Sequence, residues 1–152
     1  MRRYPVGIQD FSELRSGGYV YVDKTRQIYE LLSSGKYFFL SRPRRFGKSL
    51  LLSTLKYFFL GRRDLFEGLW VDREASHAWE PYPVLHFSFS SSGYKDIGLE
   101  KALLRLVEDA AQEHGVQLEK EGLSGCFREL IQALGSGPRK VVLLIDEYDK
   151  PL

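Results

Sequence analysis

The chain has 152 residues, enough for one domain with a sizeable core. With 43% apolar and 28% charged residues it is neither disordered nor fibrous, and a formal net charge of +2 is too small to argue by itself for a nucleic-acid surface. The single cysteine, Cys126, excludes an internal disulfide framework and suits a reducing compartment.

No apolar stretch follows Arg2 and Arg3, so no secretory segment is read at the N-terminus. Asp10, with Glu13 three residues later, resembles a capping box that opens a short helical turn. Residues 19–22 read as extended. Thr25 is placed to cap a helix over 26–33, with Ile28, Leu31 and Leu32 on one side and Gly35 as its stop.

Tyr37-Phe38-Phe39-Leu40 is an apolar run, read as the first core strand over 37–41. It leads straight into Ser41-Arg42-Pro43-Arg44-Arg45-Phe46-Gly47-Lys48-Ser49, and a helix is expected over 47–59. Strand, tight loop, Gly-Lys-Ser and helix is the layout of a phosphate-binding loop. There, successive backbone N–H groups and a helix N-terminus face an anion. Gly47 lets the backbone approach a phosphate closely, Lys48 brings a mobile positive charge, and Ser49 offers a hydroxyl to Mg²⁺. The usual pattern has glycine where this chain has Arg42, so the loop's entry differs, with Pro43 fixing φ there. Arg42, Arg44 and Arg45 have two readings: clamps on phosphate, nucleic acid or a neighbouring subunit, or a solvated basic loop. Asp23-Lys24-Thr25 is either close to the base of a bound nucleotide or a capping segment with a surface Asp–Lys pair.

The most apolar window, residues 50–60, is interrupted by Ser53, Thr54 and Lys56. It is well short of the ~20 residues that span a bilayer, so no membrane segment is read and a soluble, cytoplasmic protein is expected. Residues 65–71 read as a turn and irregular connection. A second strand is expected over 84–90, after Pro81 and Pro83. Leu99, Leu103, Val107, Ala110 and His114 recur at helical spacing. Ser124 is placed to cap a further helix that turns Phe127, Leu130, Ile131 and Leu134 inward and ends at Gly135. Cys126 reads as a small buried hydrophobe near that helix start, the alternative being a reactive thiol. His77, His86 and His114 are scattered without partners at metal-ligand spacing, so no zinc site is expected. Most aromatics read as core, although Tyr4, Tyr19 and Tyr21 can also make an aromatic surface for a partner or a base.

Lys140-Val141-Val142-Leu143-Leu144-Ile145-Asp146-Glu147 is a continuous apolar run ending in two acids. Such a run fits a central strand of a parallel sheet covered on both faces, and ligands of such sheets sit beyond the strands' carboxyl ends. Asp146 is read as a Mg²⁺ ligand and Glu147 as the group that polarises an attacking water. Alone, the pair reads as a solvated turn after a buried strand; with the loop upstream, nucleotide binding is favoured. Tyr148 and Asp149 line the same cleft or make a turn before Pro151. The alternation of strands and helices gives an α/β class with a parallel sheet.

Ile8-Gln9-Asp10-Phe11, Tyr21-Val22-Asp23-Lys24-Thr25, the 41–49 loop and Leu144-Ile145-Asp146-Glu147-Tyr148-Asp149-Lys150-Pro151 resemble the AAA-ATPase-like family. The similarity runs from about Tyr4 to the last residue. In that family Arg-Pro-Arg-Arg-Phe-Gly-Lys-Ser is the ordinary form, so Arg42 is a family trait. The resemblance implies a P-loop NTPase three-layer sandwich, here incomplete. Residues 1–152 are taken as the N-terminal half of the domain, with a lead-in over 1–36 and a core over 37–152. It implies ATP and Mg²⁺ as cofactors. Arg44, Arg45, Phe46, Gly47, Lys48, Ser49 and Leu50 would hold the nucleotide, Ser49 and Asp146 the metal, and Lys48 and Glu147 would serve catalysis. A wedge strand, a polar sensor, an arginine finger and a nuclease-like C-terminal domain are expected in a longer parent. In this piece, exposed strand edges would favour self-association. The expected function is Mg²⁺-dependent ATP hydrolysis coupled to a conformational switch. Alternatives are a non-hydrolysing nucleotide-gated module, or regulation of an attached nuclease acting on DNA. Expected partners are ATP, a second copy or a C-terminal domain, and DNA for the parent alone.

Overall fold

In the computed structural model, residues 3–43, 45–75, 79–89 and 94–148 are described. The chain divides into two compact units, Met1–Pro81 and Tyr82–Leu152. The expected roles of Arg44, His77, Ser90, Asp149 and Pro151 lie outside the described residues.

The first unit is helical among its described residues. It comprises α1 (Phe11–Ser16), α2 (Thr25–Ser34), α3 (Lys48–Phe59), a single 3₁₀ turn (Arg63–Phe66) and α4 (Trp70–Glu74). Its core gathers Phe11 and Phe58 with Leu65, Phe66, Leu69, Val71 and Ala75. The Phe11 and Phe66 rings lie 4.7 Å apart, and Trp79 sits 5.6 Å from Phe58, in the tilted and edge-on arrangements that aromatic quadrupoles favour. Each such side chain, fully buried, contributes about 1.5–3 kcal/mol of transfer free energy.

Polar contacts fix α1 on α3. The Asp10 carboxylate caps α1 by accepting the Glu13 N–H at 2.9 Å. It also accepts the Ser53 hydroxyl at 2.9 Å and the Tyr57 hydroxyl at 3.2 Å, while Ser53 Oγ accepts the Phe11 N–H at 2.8 Å. Ser53 and Tyr57, four residues apart on α3, therefore present one face to the cap. Burial pushes the Asp10 carboxyl upward, but the hydrogen bonds from Glu13, Ser53 and Tyr57 outweigh it and hold the group below its ordinary value of 3.8.

Several expectations change here. Residues 37–41 form no strand: Tyr37 is 96% and Phe39 74% exposed, and no described strand pairs with the run. Apolar content makes a strand possible, but only a partner closes its hydrogen bonds. Thr25 is the first residue of α2, whose cap position is Lys24. The Thr25 hydroxyl instead donates to Asp23 at 2.6 Å and accepts the Val71 N–H at 3.2 Å. Asp23 also accepts the Trp70 N–H at 2.7 Å, so the pair fastens α2 to α4. The connection at 65–71 contains the expected turn at 67–68, but it is flanked by a 3₁₀ turn and α4 and carries much of the core.

The second unit contains β1 (Val84–Ser88), α5 (Tyr94–Ile97), α6 (Leu99–Glu113), α7 (Leu123–Gly135) and β2 (Val142–Asp146). β1 and β2 pair in parallel, Val84 opposite Val142 through to Ser88 opposite Asp146. A parallel pair needs a crossover, and α5 to α7 lie within it. Leu85 and Phe87 pack with Val107, Ala110, Ala111, Cys126 and Leu130. Their register partners Leu143 and Ile145 share that face yet are 41% and 43% exposed, so the acidic strand is not covered on both faces within this unit. Gly122, at φ 75, holds the cap position of α7 that was expected of Ser124. Of the expected repeat, Val107 and Ala110 are buried while Leu99 is exposed, and α6 also buries Ala102 and Ala111. Cys126 is buried, its thiol donating to the Lys120 carbonyl at 2.9 Å. The whole is an α/β chain with a small two-stranded parallel sheet and seven α-helices among the described residues. None of these helices is long and apolar enough to cross a membrane.

Candidate functional site

The Gly-Lys-Ser loop belongs to the first unit. Gly47 takes a left-handed conformation (φ 75°, ψ 20°) at the cap position of α3. A Cβ there would meet nothing within 4 Å, so the backbone conformation rather than crowding calls for glycine. Arg45, two residues earlier, is also left-handed at φ 66°. A left-handed residue followed by right-handed helix turns successive N–H groups to one side, the arrangement that receives anions.

The helix behind the loop begins with Lys48 and Ser49, both half-buried. Leu51 is the residue whose N–H reaches back to the Gly47 carbonyl, at 3.0 Å. The N–H groups of Lys48, Ser49 and Leu50 precede that first bond, and Gly47 at the cap position has no side chain with which to cap them. The positive end of a 12-residue helix is thus presented with its donors uncapped. Among the described residues the ion pairs of this unit are Arg26–Glu30, Arg62–Asp64 and Arg63–Asp72, and Lys48 enters none of these. Arg42 and Arg45 are exposed.

Beside the loop lies a cavity of about 420 Å³. Its wall comes from the N-terminal segment (Tyr4), the 20–24 segment (Tyr21, Val22, Lys24), the loop (Phe46, Gly47) and the next turns of α3, including Leu51 and Thr54. The N-terminal segment is held by one bridge between Arg3 and Tyr19, the Val20 N–H donating to the Arg3 carbonyl at 2.9 Å. Burial raises the Tyr21 phenol above its ordinary value of 10.0, with the Asp23 charge adding to it, so the hydroxyl stays protonated near neutrality. Of the two readings of the 23–25 segment, Asp23 and Thr25 act as fasteners, and Lys24 lines the cavity.

The acidic pair belongs to the second unit. Asp146 closes β2 and is buried at 8% exposure. Its Oδ1 accepts the Glu147 N–H at 2.9 Å. Glu147 is left-handed at φ 54°, a conformation that costs a non-glycine residue about 1–2 kcal/mol and gathers at functional positions. Ser88 stands opposite Asp146 in the register, so a hydroxyl and a carboxylate share the carboxyl end of the sheet.

Sequence reasoning named Tyr4, Tyr21, Lys24, Phe46, Gly47 and Leu50 of the cavity wall but missed Ser88 and, on that wall, Pro5, Leu14, Val20, Leu51 and Thr54. Ser88 acquires its position from strand register. Leu50 and Thr54 face the cavity because they are four residues apart on one helix, a signal that was available. The contributions of Tyr4 and Val22 depend on distant segments converging.

A family model for AAA-ATPase-like proteins, described as predicted AAA-ATPases, matches residues 5–152. A protein of Azotobacter chroococcum mcd 1, described as an uncharacterized protein in the vnfD 5′ region, is 42% identical over 158 residues. That match covers 99% of this chain and 30% of the relative, so the chain spans about a third of that protein's length. No solved structure matches the chain.

Proposed function

The chain belongs to the AAA-ATPase-like family, and from that premise we propose that it binds ATP with Mg²⁺ at the 42–49 loop, as the N-terminal half of a P-loop NTPase domain that hydrolyses the nucleotide. One observation carries the reading: an uncapped helix N-terminus behind left-handed Gly47, with Lys48 and Ser49 as its first two residues.

The backbone N–H groups of 48–50 receive phosphate oxygens, and their dipoles are already oriented before the ligand arrives. The Lys48 ammonium neutralises charge on the outer phosphates. Ser49 and Asp146 supply a hydroxyl and a carboxylate, hard oxygens of the kind Mg²⁺ takes alongside phosphate and water. Asp146 fits that role because its carboxylate ends an apolar strand and is itself oriented by the Glu147 N–H. Bound with the nucleotide, the metal offsets charge on the phosphate oxygens. Glu147 polarises the attacking water, and its left-handed backbone, tied to Asp146, fixes where the carboxylate starts. Catalysis is then mostly positioning and electrostatics, coupled to a conformational switch in a longer protein.

Titration calorimetry tests the assignment. Lys48→Ala is expected to weaken MgATP binding by about 100-fold. Glu147→Gln is expected to retain binding and lower turnover by about 100-fold or more. Equal MgATP affinity in Lys48→Ala and wild type contradicts the site. Binding without turnover in the wild type replaces the hydrolase with a nucleotide-gated module.

A further inference from the structure

The nucleotide reading counts Phe46 among the residues that hold the nucleotide but gives its side chain no task at the phosphates. It stands between two left-handed residues, Arg45 and Gly47, and is 69% exposed. A phenylalanine held in solvent at a strained loop forgoes burial that the core offers elsewhere. Phe46 lines the 420 Å³ cavity, together with residues of the first turns of α3. A cavity of that size lies in the range of small-molecule sites.

Hydrogen-bonding side chains on the wall are few, and two are already engaged. The Thr54 hydroxyl donates to the Leu50 carbonyl at 2.8 Å, and Tyr21 is hydrogen-bonded with Thr54. Much of the remaining wall is apolar: Pro5, Leu14, Val20, Val22, Ile28 and Leu51. Such a surface suits a flat heterocycle's faces better than its edges.

Resting on the nucleotide reading, we propose that this cavity seats the base of the nucleotide, held by stacking on Phe46 rather than by hydrogen bonds to the base edge. Phe46 adjoins Gly47, so one loop contacts both ends of the ligand. Stacking is indifferent to base identity because every base has a π-face, so adenine and guanine are accepted with similar affinity. The exposed Tyr4 ring, at 76%, stands on the same wall as a second aromatic surface.

The test compares MgATP, MgGTP and magnesium tripolyphosphate in equilibrium binding to wild type, Phe46→Ala, Phe46→Tyr and Leu51→Phe. Phe46→Ala should weaken MgATP about tenfold more than it weakens tripolyphosphate, and Phe46→Tyr should restore the difference. Leu51→Phe, which fills the cavity from α3, should likewise lose MgATP selectively. Wild type should bind MgATP and MgGTP within about tenfold of each other. Equal losses for MgATP and tripolyphosphate in Phe46→Ala overturn the proposal and make Phe46 a support of the phosphate loop. Discrimination against MgGTP of about 100-fold or more also overturns it, since the base edge would then be read. A wild type that binds tripolyphosphate and gains nothing from the base refutes the stacking alone. One that binds none of the three ligands removes the nucleotide reading as well.

Discussion

The apolar run at 37–40 and the apolar run at 141–145 are alike in composition, yet only the second enters a ladder. β2 takes up a parallel register with β1 over its whole length. Residues 37–40 belong to no strand or helix, with Tyr37 96% and Phe39 74% exposed. A few residues beyond this run, α3 forms as expected because a helix closes its hydrogen bonds within itself. Strand-like sequence states only what a segment can do, and the partner decides whether it does so. Within β2 itself Leu144 is buried while Leu143 and Ile145 are half open, so pairing and burial are separate events.

The sharpest way to break this comparison is to cut into both regions. Leu85→Ala removes a side chain 1% exposed, in the cluster formed with α6 and α7, and should cost about 3 kcal/mol in urea unfolding. The next effect concerns what anchors α3. Asp10→Ala deletes a helix cap that also receives Ser53 and Tyr57, and about 1–2 kcal/mol should be lost. Because the folded carboxyl lies below its ordinary 3.8, its stabilisation is full above that value and disappears as pH falls through the folded value. Asp23 acts in the same direction: burial raises it, and hydrogen bonds from Thr25 and Trp70 lower it further. Urea midpoints from about pH 6 to about pH 2 should therefore decline, and Asp10→Asn should flatten that decline. The smallest effect belongs to the exposed run at 37–40. Phe39→Ala should change stability by less than about 0.5 kcal/mol. A loss comparable with Leu85→Ala would mean that the run is buried in solution.

Much of the fold was legible where the signal is local. The apolar runs of β1 and β2, the spacing of Val107 and Ala110, and the Asp10 cap all appear as expected. Less was legible where tertiary contacts decide. α4 has only five residues, and its first turn is held by Asp23 from a distant segment. The cap of α7 is a left-handed glycine rather than the serine two residues on, because Gly122 already supplies the turn into the helix. The site divides in the same way. The loop's Gly47, Lys48 and Ser49 stand out from spacing alone. The cavity beside them depends on residues near 4, 21 and 46–54 converging, which no short motif encodes.

The account rests on backbone donors at the start of α3 receiving phosphate, and amide NMR reads those donors directly. Addition of MgATP should produce the largest shifts at the N–H groups of Gly47, Lys48, Ser49 and Leu50, and Lys48→Ala should suppress them. Saturating MgATP that leaves these four amides unmoved while others shift would contradict the assignment.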